Sequence, residues 1–67
     1  MVSAMLTGKF GRVTDVIPAG GARKGEVMID GQAYHALAAD PDDTIEKGTR
    51  IVVVEYEPPR SVIVTRF

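Results

Sequence analysis

Along this chain the apolar positions repeat with the period of a strand and almost nowhere with that of a helix. No window places apolar residues at i, i+3, i+4 and i+7, while β-branched residues and glycines recur throughout. The spacing predicts a first strand over Gly8–Val16, with Gly11 the expected place for a bulge or sharp coil. Ile17-Pro18-Ala19-Gly20-Gly21 ends it, because proline cannot donate to a ladder and paired glycines admit unusual dihedrals. Asp30-Gly31 then sits between two β-rich runs, the signature of a two-residue type I′ hairpin. That turn sets a register: Ile29 faces Gln32, Met28 faces Ala33, Val27 faces Tyr34, Glu26 faces His35 and Gly25 faces Ala36. Val27, Ile29, Tyr34 and Ala36 share one side, assigned to the interior because the opposite choice would bury Glu26 with His35. Asp40-Pro41-Asp42-Asp43 is turn chemistry, and Thr44–Gly48 is expected to form one short helical or 3₁₀ turn capped by Asp43 or Thr44. Thr49–Tyr56 is the strongest β segment. Pro58-Pro59 breaks it before a last strand over Ser61–Thr65.

Five short strands punctuated by glycine and proline predict an all-β fold, a small five-stranded OB-fold-like barrel. Residues 8–67 form the expected domain and residues 1–7 a flexible leader. With 67 residues the chain has room for one core. A domain of this size buries only about 60% of the surface its unfolded chain exposes, which leaves a modest stability margin. The absence of cysteine excludes disulfide frameworks, thiolate zinc sites and cysteine nucleophiles. Eight Lys+Arg stand against nine Asp+Glu, a formal net charge of -1, so the global field does not attract phosphate backbones. No uninterrupted apolar run, Ile51-Val52-Val53-Val54 included, is longer than four residues, far short of the roughly 20 residues that cross a bilayer, and Met1–Thr7 lacks a signal-peptide layout. A soluble chain is the expectation.

The candidate chemistry is thin. His35 is the only histidine, and the hairpin register puts it outside, opposite Glu26. Asp40, Asp42 and Asp43 lack the calcium-loop spacing, which needs a glycine at the sixth position and a distal glutamate. Gly20-Gly21-Ala22-Arg23-Lys24-Gly25 resembles a phosphate cradle but lacks the Gly-Lys-Ser/Thr ending and leads into no helix. The Lys47-Gly48 turn before a hydrophobic strand has some resemblance to lipoyl and biotinyl carrier domains. The next turn, Tyr56-Glu57-Pro58-Pro59, holds no lysine to modify, so no cofactor is expected. Ser3, Ser61 and an external His35 offer no nucleophile–base set, so no enzyme activity, small-molecule substrate, catalytic residue or metal site is expected. Barrels of this type bind single-stranded nucleic acid through stacked aromatics in a basic groove. Here the aromatics are Phe10, Tyr34, Tyr56 and Phe67, with Tyr34 pointing inward and the basic residues scattered among acids. Nucleic acid is therefore the second reading.

Over Gly8–Val64 the motif order resembles the C-terminal soluble domain of NfeD-like proteins. The matching elements are Gly8-Lys9-Phe10-Gly11, Val13-Thr14-Asp15-Val16-Ile17-Pro18-Ala19-Gly20, Gly25–Ala36 with its Gly31-x-x-Tyr34-x-Ala36, and Ile45-Glu46-Lys47-Gly48-Thr49 running on to Glu55. Pro58-Pro59-Arg60 departs from the acidic or glycine turn usual before the last strand, and Ala22-Arg23-Lys24 is slightly longer than usual. The resemblance implies an OB-fold barrel tethered behind transmembrane helices that lie outside this chain. It implies a place on the cytoplasmic face of the membrane and a stomatin/SPFH-like membrane scaffold as partner, with no catalysis. No partner-binding residues follow from it. Self-association through a valine-rich edge strand is a further expectation.

Overall fold

Asp30 and Gly31 adopt left-handed φ angles of 51° and 79°, as both central residues of a type I′ turn require. The turn joins β2 (Gly25–Ile29) to β3 (Gln32–Ala38) in the register read from the sequence, from Ile29 opposite Gln32 to Gly25 opposite Ala36. The computed structural model describes residues 6–67. Around the hairpin stand β1 (Phe10–Asp15), β4 (Arg50–Glu57) and β5 (Ser61–Arg66). The sheet closes in the order β1-β2-β3-β5-β4, antiparallel except for the parallel pairing of β3 with β5. The five-stranded barrel is thus as expected. Its strands start or stop one or two residues from the predicted bounds.

Closure needs bends, and the structure puts them at two register shifts. The first falls between Val13 and Asp15 on β1, so the bulge is at Thr14 and not at Gly11. Gly11 has a different reason to be glycine. A Cβ there would lie 2.5 Å from the Met28 carbonyl oxygen and 2.8 Å from the Ile29 side chain, closer than real Cβ atoms come, so the absent side chain lets β1 press against β2. The second shift falls between Val53 and Glu55 on β4. Strict alternation after Ile51 and Val53 would turn Glu55 inward; the extra residue turns Tyr56 onto the core and leaves Glu55 exposed.

The core consists of Leu6, Val13, Ile17, Val27, Ile29, Ala36, Ile45, Ile51, Val53, Val62 and Val64, with Tyr34, Ala38 and Tyr56 packed against it. Val27, Ile29 and Ala36 are sealed and Tyr34 is half-buried on the same side, while His35 stays outside. No polar or charged residue among those described is buried.

Three further expectations need correction. Thr44–Gly48 forms no helical turn: Ile45 pairs with Ile17 in an isolated bridge, each donating its N–H to the other's carbonyl at 2.9 Å. Both side chains are fully buried, so a helical turn would give up the burial of Ile45 for local hydrogen bonds alone. Leu6, assigned to the leader, is buried, and its carbonyl accepts from the Lys9 N–H at 2.9 Å; the rest of that expectation, on residues 1–5, lies outside the described residues. The valine-rich strand is not a free edge either. β4 pairs with β5 along its length and with β1 over Arg50–Val52, extended by Gly8 donating to Val53 and Val53 donating to Lys9.

Candidate functional site

Alternation on β1 sends Val13 inward and Phe10, Arg12 and Thr14 outward. On β4 it sends Ile51 inward and Arg50 and Val52 outward, and β2 sends Met28 outward. Barrel closure brings these outward positions together. Phe10 lies opposite Val52, and Arg12 lies opposite Arg50 on one side and Met28 on the other. Just past β5, Phe67 donates its N–H to the Arg50 carbonyl at 3.1 Å, which sets its ring beside Phe10. The two ring centroids are 4.5 Å apart and tilted by 55°. The Arg50 guanidinium sits 4.9 Å from the Phe10 ring and 5.3 Å from the Phe67 ring. Such cation–π contacts are worth about 0.5–1 kcal/mol each at exposed sites.

The result is a shallow, largely apolar cleft of about 450 Å³, lined by Phe10, Gly11, Arg12, Thr14, Met28 and Arg50. Phe10 and Met28 remain 45% and 40% exposed and Phe67 71%, so apolar surface is left in water here after the core is complete. Arg12 donates to the Gly48 carbonyl at 3.1 Å. The ion pairs among the described residues are Lys9–Asp30 and Asp43–Arg66, and neither involves Arg12 or Arg50. Like charges directly opposite one another on antiparallel strands are destabilising. At the β1 bulge the Thr14 hydroxyl oxygen is buried and has no hydrogen-bond partner.

The residues singled out by sequence lie elsewhere and do not converge. His35 faces Glu26 across the hairpin on the surface. Its β5 neighbour is Ser61, whose Oγ accepts from Lys24 Nζ at 2.8 Å. This hydroxyl–amine contact lies on the open surface away from the cleft. Asp40, Asp42 and Asp43 divide their work. Asp40 accepts from the Asp42 N–H at 2.9 Å, and Asp43 takes a two-pronged contact from Arg66, both arms at 3.0 Å. Those hydrogen bonds hold the Asp43 carboxyl below, and the Arg66 guanidinium above, their usual ranges. Among the described residues no three acidic or histidine side chains could share a metal. The Gly20–Gly25 loop leads straight into β2; Gly20 donates to the Pro41 carbonyl at 2.6 Å. The turn before β5 is closed by the Tyr56 hydroxyl donating to the Pro59 carbonyl at 2.9 Å and by Arg60 donating to the Ala33 carbonyl at 3.2 Å.

Sequence reading missed the cleft. Phe10, Met28, Arg50 and Phe67 are far apart in the chain, and only the pairing of β1 with both β2 and β4 makes them neighbours. The outward parity of Phe10 and Arg12, once Val13 is placed inside, was the one signal available.

Residues 10–65 match the NfeD C-terminal domain family. The fold is that of the C-terminal domain of a stomatin operon partner protein from Pyrococcus horikoshii. That likeness has a TM-score of 0.75 and 24% identity, over 92% of this chain and 88% of that one. The chain is also similar to the soluble domain of a membrane protein implicated in regulation of membrane protease activity from Corynebacterium glutamicum. There the TM-score is 0.76 and the identity 27%, over 88% of this chain and 87% of that one. No curated protein matches the chain. Among the described residues no helix is long and apolar enough to cross a membrane.

Proposed function

The chain belongs to the NfeD C-terminal domain family, and from that premise we propose that it is a non-catalytic interaction module of a membrane-associated protein, working beside a stomatin/SPFH-type scaffold on the cytoplasmic face. The observation that carries this reading is the exposed cluster of Phe10, Met28 and Phe67 with Arg50, surface that the barrel does not need for its own packing. The names of the two similar structures, a stomatin operon partner protein and a membrane protein implicated in regulation of membrane protease activity, support the same setting. Copurification checks it. Expressed in its full reading frame, the protein is expected to retain a stomatin-like protein from the same genome; failure to retain any such candidate sinks the proposal.

A second reading, a single-stranded nucleic-acid platform, gains one arginine, Arg50, beside two aromatic rings. Against it, the rings pack on each other and on Arg50, so a stacking base would have to displace both contacts. The net charge of -1 supplies no long-range attraction to phosphate. Salt-dependent binding of oligonucleotides to the isolated domain would favour this alternative.

A further inference from the structure

Arg12 and Arg50 stand opposite each other on neighbouring strands, neither is in an ion pair among the described residues, and both border an apolar cleft that Phe10, Met28 and Thr14 also line. The barrel's own stability does not account for the exposure of Phe10 and Met28, which works against it. An occupant that brings carboxylates and an apolar side chain pairs both cations and covers the exposed apolar groups at once. The shape narrows the choice further. The backbone at Gly11 lines the cleft beside Phe10 and Met28. A recess of this kind accepts a side chain projecting from a peptide; a bilayer surface is met by protruding groups instead.

Building on the interaction-module reading, we propose that the outer face of β1, β2 and β4 receives an acidic segment of the partner protein. One apolar side chain of that segment seats between Phe10, Met28 and Arg50, and its flanking carboxylates meet Arg12 and Arg50. Arg50 then makes a two-sided contact, its planar face on the rings and its N–H edge on a carboxylate.

The test is a titration of the isotope-labelled domain, followed by backbone amide resonances, with a blocked peptide Glu-Asp-Phe-Leu-Asp-Glu as the probe. Saturable shifts centred on Phe10, Gly11, Arg12, Met28 and Arg50 are expected, weakening as salt rises. Binding should fall at least tenfold for the Arg12→Gln, Arg50→Gln double variant and be lost in Met28→Glu, which places a carboxylate at the cleft and keeps the test open if the double variant unfolds. Any of four results overturns the proposal: equal binding of Lys-Lys-Phe-Leu-Lys-Lys, equal binding of Glu-Asp-Ser-Ser-Asp-Glu, shifts confined to another face, or no shift at all. Stronger perturbation of the same resonances by oligothymidylate, by phosphatidylglycerol vesicles, or by raising the concentration of the domain alone also overturns it, in favour of nucleic acid, membrane or a second copy. Copurification of the double variant separates this inference from the broader one. A stomatin-like partner held by wild type and variant alike sinks the face and spares the module; a partner held by neither sinks the module, while the titration still decides the face.

Discussion

On their inner side β1, β2 and β4 carry Val13, Val27, Ile29, Ile51 and Val53, each at most 2% exposed. On the outer side the same strands carry Phe10, Met28 and Val54 at 45%, 40% and 47%, interleaved with Arg12 and Arg50. The two faces come from one alternation and differ in what closes them. Inside, each apolar group meets another strand's apolar group across the barrel, and the arrangement is complete. Outside, the apolar groups keep a large part of their surface in water, and Arg12 and Arg50 are in no ion pair among the described residues. Alternation assigns residues to a face, but stability explains the composition of only one face. What stability does not explain on the other is available for recognition.

The sharpest way to break this contrast is to show that the outer face supports the fold as the inner one does. Ile45→Ala, at a fully buried position outside the strands, is expected to cost about 4 kcal/mol. Gly11→Ala, which drives a Cβ into the Met28 carbonyl, should cost about 3 kcal/mol. Either loss is a large share of the few kcal/mol available to a domain this small, and both are read as a lowered urea midpoint. Phe10→Ala removes one ring of the pair and one surface for Arg50, and about 1 kcal/mol is expected. A loss approaching that of Ile45→Ala would make the outer cluster structural. Arg12→Gln should leave stability within about 0.5 kcal/mol of wild type, since it gives up only one exposed hydrogen bond, to the Gly48 carbonyl.

The smallest effect concerns acid. Its hydrogen bonds to Arg66 hold the Asp43 carboxyl below the ordinary value of 3.8 in the folded chain. That pair therefore contributes above the unfolded-state value and fades as pH falls through the lower folded one. Asp43→Asn is expected to lower the melting temperature slightly at neutral pH and to converge on wild type as pH falls through the folded value, so that its acid limb is shallower. A steeper acid limb in the variant would contradict the assignment.

Local chemistry was legible in the sequence. Asp30-Gly31 admits one common hairpin geometry, and the cost of burying Glu26 with His35 then chose the inner face, as found. Nonlocal closure was not. Gly11 reads as a bulge because its contact with Met28 depends on how β1 and β2 pack, and the bulge itself sits at Thr14, a residue with no such signal. The Thr44–Gly48 segment has capping residues, yet Ile45 gains more by pairing with Ile17, a partner that sequence proximity does not suggest. The cleft was invisible for the same reason, since Phe10 and Phe67 come from opposite ends of the chain.

The parallel pairing of β3 with β5 has a consequence for the order of events at the ribosome. β5 is the last strand made, yet it lies between β3 and β4, so four strands can emerge and the ring still has a gap one strand wide. The β2–β3 hairpin can form from neighbours in sequence, but the seal waits for residues 61–66 to leave the exit tunnel. Until then β4 presents an edge of unpaired backbone N–H and C=O groups on the side that β5 will fill.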